Sequence, residues 1–156
     1  MPNAQPKEFD VVIAGAGMVG ASLACLLAES SLSIALVDRK RLVQGKDSDS
    51  PKLHSDKFDP RVSAISQASQ QLFRQLGVWE DMNAARVCNY NAMEVWDAEG
   101  TGSIDFSAVE INQPELGSIV ENSIIIAALH KRLAQLENVF PITPFSIESF
   151  EQVERE

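Results

Sequence analysis

Three glycines punctuate the segment Gly15-Ala16-Gly17-Met18-Val19-Gly20, and an acidic residue, Asp38, follows 23 positions after the first of them. Backbone without side chains can approach a diphosphate closely. A helix opening at that point adds unpaired N–H groups and the positive end of its dipole. Each glycine has its own task in such a loop: Gly15 permits the sharp turn, Gly17 the close approach, and Gly20 the packing of helix on sheet. A carboxylate at position 38 accepts hydrogen bonds from the vicinal hydroxyls of a ribose and disfavours a ribose 2′-phosphate. The chemistry implied is the binding of a dinucleotide. Ala24 extends the spacing to GxGxxGxxxA, which suits FAD or NAD.

Such a loop works only if a strand delivers it and a helix leaves it. Phe9-Asp10-Val11-Val12-Ile13-Ala14 is a short β-branched run, expected as a strand buried on both faces. Ala21 to Ser31 is rich in Ala and Leu and reads as a helix, and Ser33-Ile34-Ala35-Leu36-Val37-Asp38 reads as a second buried strand. Residues 9–38 thus form a βαβ unit of about the 30 residues it requires.

The rest of the chain supplies fewer, weaker signals. Residues 39–60 are polar, densely charged and expected as a surface excursion, because unstructured loops of that length are uncommon inside compact domains. Arg61-Val62-Ser63-Ala64-Ile65-Ser66 leads into a helix near Gln67–Leu76, with Ser66 as N-cap and Gly77 at its C-terminal end. Residues 91–106 alternate, turn at Gly100-Thr101-Gly102 and alternate again, which predicts an antiparallel hairpin with one wet face. A second strong helix is expected over Ser123–Leu136, with Ile125, Leu129, Leu133 and Leu136 on one face and Asn122 or Ser123 as cap. Asn138-Val139-Phe140-Pro141-Ile142 reads as a third sheet strand, and Phe145–Val153 alternates weakly.

Composition narrows the function classes. With 156 residues, 45% hydrophobic and 22% charged, the chain is long enough for one domain with a true core. Residues 1–79 carry 9 basic and 8 acidic side chains, whereas residues 80–156 carry 4 and 14. So acidic a second half repels phosphate backbones, and a general nucleic-acid partner is not expected. No apolar run approaches the length of a membrane span, and the start MPNAQPKEFD lacks a signal-peptide layout, so a cytoplasmic protein is expected. Cys25 and Cys88 are too few for a disulfide scaffold or a structural zinc site.

Five blocks occur in a telling order: Val12 to Gly20, Arg61 to Ser66, Leu76-Gly77-Val78-Trp79, Met93-Glu94-Val95-Trp96-Asp97 and Ile119-Val120-Glu121-Asn122-Ser123. In that order the chain resembles the N-terminal part of the flavin-dependent hydroxylases of ubiquinone biosynthesis, within the para-hydroxybenzoate-hydroxylase-like FAD monooxygenases. The last three blocks point to the polyprenyl-phenol or demethoxyubiquinol branch. The resemblance implies an α/β fold: an incomplete Rossmann-like FAD-binding βαβ domain over residues 1–156, with a small antiparallel hairpin at 89–118 from a truncated substrate-side sheet. Residues 15–20 would hold the FAD pyrophosphate. Asp38, more often Glu in the family, would hold the ribose from closer range, with Arg39 beside it. Arg61 matches an arginine that contacts FAD, against the alternative of a surface ion pair. Asn122 falls where relatives carry Asn or Gln near the cofactor, and a pure helix cap would look the same.

The resemblance further implies NAD(P)H as electron donor, O2 as co-substrate and a polyprenylated phenol or quinol as substrate. Family members are much longer, with an Asp-Gly-containing strand, a Gly-Asp segment at the flavin end and most of the substrate sheet still to come. An N-terminal portion inactive by itself is therefore the expectation. Peripheral contact of the intact enzyme with the inner membrane stays open. Two rival readings stand beside it: a nucleotide-sensing Rossmann module that prefers NAD(H), and a non-functional remnant whose open sheet edges are covered in a homodimer.

Other chemistry-bearing residues read as structural. Cys25 is expected to pack on the sheet, and Cys88 shows no partner pattern. His54 and His130 lack metal spacing, the Met18 side chain reads as packing, and Trp79 and Trp96 read as core or interdomain contacts. No Ser-His-Asp or Cys-His arrangement can be assembled, as suits a reaction whose hard step belongs to a cofactor.

Overall fold

A computed structural model describes residues 8–43 and 58–152. Most of the charged excursion, His54 included, lies outside the described residues. In chain order the elements are β1 (Val11–Ala14), α1 (Met18–Leu27), β2 (Ile34–Val37), β3 (Val62–Ser66), α2 (Gln67–Gln75), α3 (Trp79–Ala85), β4 (Val87–Tyr90), β5 (Ala92–Trp96), β6 (Ser103–Ser107), β7 (Gly117–Glu121), α4 (Asn122–Leu133) and β8 (Val139–Ile142). They divide into two units, residues 1–50 with 129–156 and residues 51–128.

In the first unit β2 is the central strand of a parallel sheet of order β1-β2-β8, with Val11 opposite Ile34 and Ile34 opposite Val139. Centrality explains its continuous apolar run: Ile34, Ala35 and Leu36 are all buried. Each large side chain so buried contributes about 1.5–3 kcal/mol of transfer free energy. The expectation of burial on both faces fails for β1, where Ile13 is buried but Val12 is 57% exposed. An edge strand alternates, and only its Ile13 face meets α1. Asp10 ties the strand entrances together, its carboxylate accepting from the Ser33 N–H at 2.8 Å and the Ser33 hydroxyl at 2.7 Å. The first helix ends at Leu27, short of the expected Ser31. Beyond it the Asn138 amide donates to the carbonyls of Ala28, Ser30 and Leu32, so these are not left for further helical N–H groups.

In the second unit β3, β7 and β4 form an antiparallel sheet with β7 in the middle. Gln70 of α2 is fully buried and donates to the Ser118 hydroxyl at 2.8 Å, which donates to Asn89 Oδ1 at 2.7 Å. This polar chain is satisfied throughout, as burial demands. The second helix begins at the expected Ser66 cap and stops before Gly77, whose φ of +73° few other residues tolerate. Helix α3, with Trp79 and Met82 buried, was not foreseen. The hairpin β5-β6 forms with Val95 opposite Ile104, but both its faces are wet, and Trp96 is 68% exposed rather than core. Ile125, Leu129 and Leu133 are buried as the α4 periodicity requires.

Candidate dinucleotide site

The chain leaves β1 at Gly15, whose φ of +103° is a conformation open to glycine at little cost. Gly15 N–H donates to the Val37 carbonyl at 2.7 Å, anchoring the turn to the end of β2. At Gly20 a Cβ would collide with the Gly15 carbonyl oxygen and lie 3.3 Å from Ile13 Cγ2, so the helix can sit on this strand only without one. Gly17 differs from both. It is the extended N-cap of α1, and a Cβ there would meet nothing within 4 Å.

Helix geometry leaves the first N–H groups of α1 without intrahelical partners. Among the described residues no side chain caps them, and the first turn carries no acid. Val19 is 83% exposed, while Ala16 is buried beneath the loop. The result is an open, electropositive helix end with clear space above Gly17, the donor set a diphosphate requires.

Asp38 closes the other side. Its Oδ2 accepts from the Ala16 N–H at 2.7 Å and its Oδ1 from the Lys40 N–H at 2.7 Å. Partial burial works to raise its pKa, but the Ala16 and Lys40 bonds, with the charge of Arg39, hold it below the usual carboxylate range. A carboxylate oxygen can accept more than one hydrogen bond, so both oxygens keep capacity for ribose hydroxyls. The residues present fit the ADP part of a dinucleotide. Arg39 follows in an exposed position.

His130 lies in this site too, although its sequence position gave no hint of it. Its Nε2 is 2.7 Å from the Ala16 carbonyl, and its Nδ1 accepts from the Val43 N–H at 2.9 Å. Those partners lie 114 and 87 residues away in sequence, beyond the reach of local pattern. A polar side chain within the apolar run Ile124 to Leu129 and Leu133 was the available signal. Burial depresses the imidazole pKa, while the Ala16 bond and the Asp38 charge act in the opposite direction.

Arg61 and Asn122 are brought together in the second unit, where the Asn122 N–H donates to the Arg61 carbonyl at 3.0 Å. The Arg61 side chain is 79% exposed, its Nε 3.9 Å from Asp59, a loose surface pair. Asn122 Oδ1 accepts from the Ser63 hydroxyl at 2.7 Å rather than capping its helix. The cap expected from Asn122 or Ser123 is supplied by Asp59, which accepts the Ser123 N–H at 3.3 Å. Glu121, buried beside it, accepts from Arg86 Nε at 2.6 Å and from the Asp59 N–H at 2.6 Å. Cys25 is buried as expected, its thiol pushed up to about 11 by burial despite the Arg132 charge. Among the described residues there is no group of three or more potential metal ligands, and no helix is long and apolar enough to cross a membrane.

A parallel βαβ sheet whose glycine turn opens an uncapped helix, with a carboxylate after the second strand, defines a Rossmann-like dinucleotide-binding protein. A family model described as FAD dependent oxidoreductase matches residues 10–101, and the chain belongs to that family. It is 37% identical over 139 residues to the mitochondrial ubiquinone biosynthesis monooxygenase COQ6 of Caenorhabditis elegans, covering 84% of this chain and 29% of the relative. It is 36% identical over 129 residues to 3-demethoxyubiquinol 3-hydroxylase of Escherichia coli, covering 82% of this chain and 30% of the relative. The chain therefore spans under a third of the length of these curated relatives. Two solved structures share the fold: PqsL of Pseudomonas aeruginosa in complex with 2-aminobenzoylacetate and p-nitrophenol 4-monooxygenase PnpA of Pseudomonas putida. The first has a TM-score of 0.65 at 18% identity, over 95% of this chain and 36% of that one. The second has a TM-score of 0.63 at 14% identity, over 92% of this chain and 33% of that one.

Proposed function

We propose that this chain carries the ADP-binding half of the FAD site in a flavin-dependent hydroxylase of ubiquinone biosynthesis, acting on a polyprenylated phenol or quinol with O2. The observation that carries the reading is the uncapped start of α1 above Gly17, facing a carboxylate already oriented by the Ala16 N–H. In this reading Gly15, Ala16, Gly17, Met18, Val19 and Gly20 hold the pyrophosphate through backbone donors. Asp38 accepts from the ribose, and Arg39, Arg61 and Asn122 add polar contacts to the cofactor. The bound flavin supplies the redox and oxygen chemistry. The chain's own contribution is to bind, to orient and to reject a ribose 2′-phosphate. The hairpin β5-β6 belongs to the substrate-side sheet, NAD(P)H is the electron donor, and the intact enzyme works at the inner membrane, where so apolar a substrate resides. Similarity to relatives named as a ubiquinone biosynthesis monooxygenase and a 3-demethoxyubiquinol 3-hydroxylase supports the substrate class.

Calorimetric titration of the 156-residue chain with FAD, ADP and NAD tests the site. Binding of both FAD and ADP, with NAD weaker, is expected. A preference for NAD over FAD would replace this reading with the nucleotide-sensing module.

A further inference from the structure

The peptide plane between Ala16 and Gly17 sits at the centre of the loop, and His130 bonds its carbonyl. A trans peptide is planar, with its C=O and N–H pointing in opposite directions. The Ala16 carbonyl is turned inward, 2.7 Å from His130 Nε2. The N–H of the same plane, that of Gly17, therefore points away from His130. Were this plane to flip, the Ala16 oxygen would stand where an incoming diphosphate needs the Gly17 donor.

The two partners of His130 also fix its protonation. The Val43 N–H can only donate, so Nδ1 is the acceptor. The Ala16 carbonyl can only accept, so Nε2 carries the hydrogen. The ring is neutral, in one tautomer, and 6% exposed. The charged group facing it is the Asp38 carboxylate, which holds the Ala16 N–H, so Ala16 is gripped at both its donor and its acceptor.

We propose that His130 is a positioning residue of the dinucleotide site, holding the Ala16–Gly17 peptide so that the Gly17 N–H is presented to the ligand diphosphate. The proposal rests on the dinucleotide reading of the loop, and the test separates the two. Three variants divide the roles of the ring. His130→Gln places an amide donor near the Nε2 position, His130→Asn places an acceptor near the Nδ1 position, and His130→Leu keeps bulk alone. The readouts are ADP affinity by calorimetry and, without nucleotide, hydrogen exchange at the Ala16 amide, which Asp38 holds in the same loop.

His130→Gln is expected within about 3-fold of the parent in ADP affinity, whereas His130→Asn and His130→Leu lose about 10-fold, the loss of one oriented hydrogen bond. In those two variants the Ala16 amide, bound to Asp38 in the parent, should also exchange measurably faster as the loop loosens. Equal losses in Gln and Asn variants would overturn the proposal, since a general structural role predicts no difference between them. Parent-like affinity and exchange in His130→Leu would overturn it as well. If the parent chain binds no ADP, the dinucleotide reading fails by itself, and Ala16 exchange across the three variants still decides whether His130 holds the loop.

Discussion

Among the described residues three helices follow strands, α2 and α4 at once and α1 after a three-residue turn, and they start differently. At α2 the Ser66 side chain accepts the Ser69 N–H at 3.3 Å, and at α4 the Asp59 carboxylate accepts the Ser123 N–H at 3.3 Å. At α1 the N-cap is Gly17, with no side-chain bond and no acid in the first turn. A helix N-terminus is ordinarily completed by the protein itself, because free N–H groups are a cost in stability. Two junctions obey that rule. The third, the one built on the glycine spacing, leaves its donors for something else, and the contrast marks it as the binding end.

That comparison can be broken in graded ways. The largest effect is expected from Gly20→Val, whose side chain would collide with the Gly15 carbonyl. Urea denaturation should show a loss of about 3 kcal/mol, with ADP binding abolished. Gly17→Asp would give α1 the cap that its neighbours have. The Cβ enters open space, so the fold should be retained or even stabilised by about 0.5 kcal/mol. ADP affinity should fall at least about 100-fold as carboxylate meets diphosphate. Opposite signs for stability and binding in one variant would sharpen the contrast most, and an unchanged ADP affinity would end it. Ser66→Ala removes an ordinary cap and should cost about 0.5–1 kcal/mol in a melting experiment while leaving ADP affinity alone.

The smallest effect is a pH dependence. His130 is held neutral, with its pKa pushed below the ordinary value of about 6.5, the Asp38 charge only partly opposing burial. As pH falls below 6.5 the unfolded chain gains a proton that the folded chain resists, so stability declines from there down to the folded pKa. The carboxylates with lowered pKa, Asp10, Asp38, Asp59 and Glu121, lose their contributions only as pH falls below their own ordinary values. Urea midpoints at pH 7.5 and 5.5 should therefore differ more for the parent than for His130→Gln.

What could be read in advance was what local pattern encodes. The central strand β2 announced itself because burial on both faces demands an unbroken apolar run, and the Ser66 and Gly77 signals bounded α2 correctly. Strand β7 did not, because buried Ser118 and Glu121 interrupt its apolar run, and their partners Gln70, Asn89 and Arg86 are distant in sequence. Helix α3 is 7 residues long and starts from Val78 without a side-chain cap, too short for periodicity to reveal. The wet faces of β5-β6 escaped notice because alternation reports a strand, not what covers it. The glycine loop was legible as a motif, but the grip of His130 on it was not.

The double hold on Ala16 has a kinetic consequence. With its N–H bound by Asp38 and its carbonyl by His130, the loop reaches a receiving geometry while the chain folds. The conformational entropy of that ordering is lost before any nucleotide arrives, so association resembles docking onto a rigid receptor rather than folding around a guest. Association rates should then vary little among loop variants that keep both bonds, and differences in affinity should reside in how long the nucleotide stays.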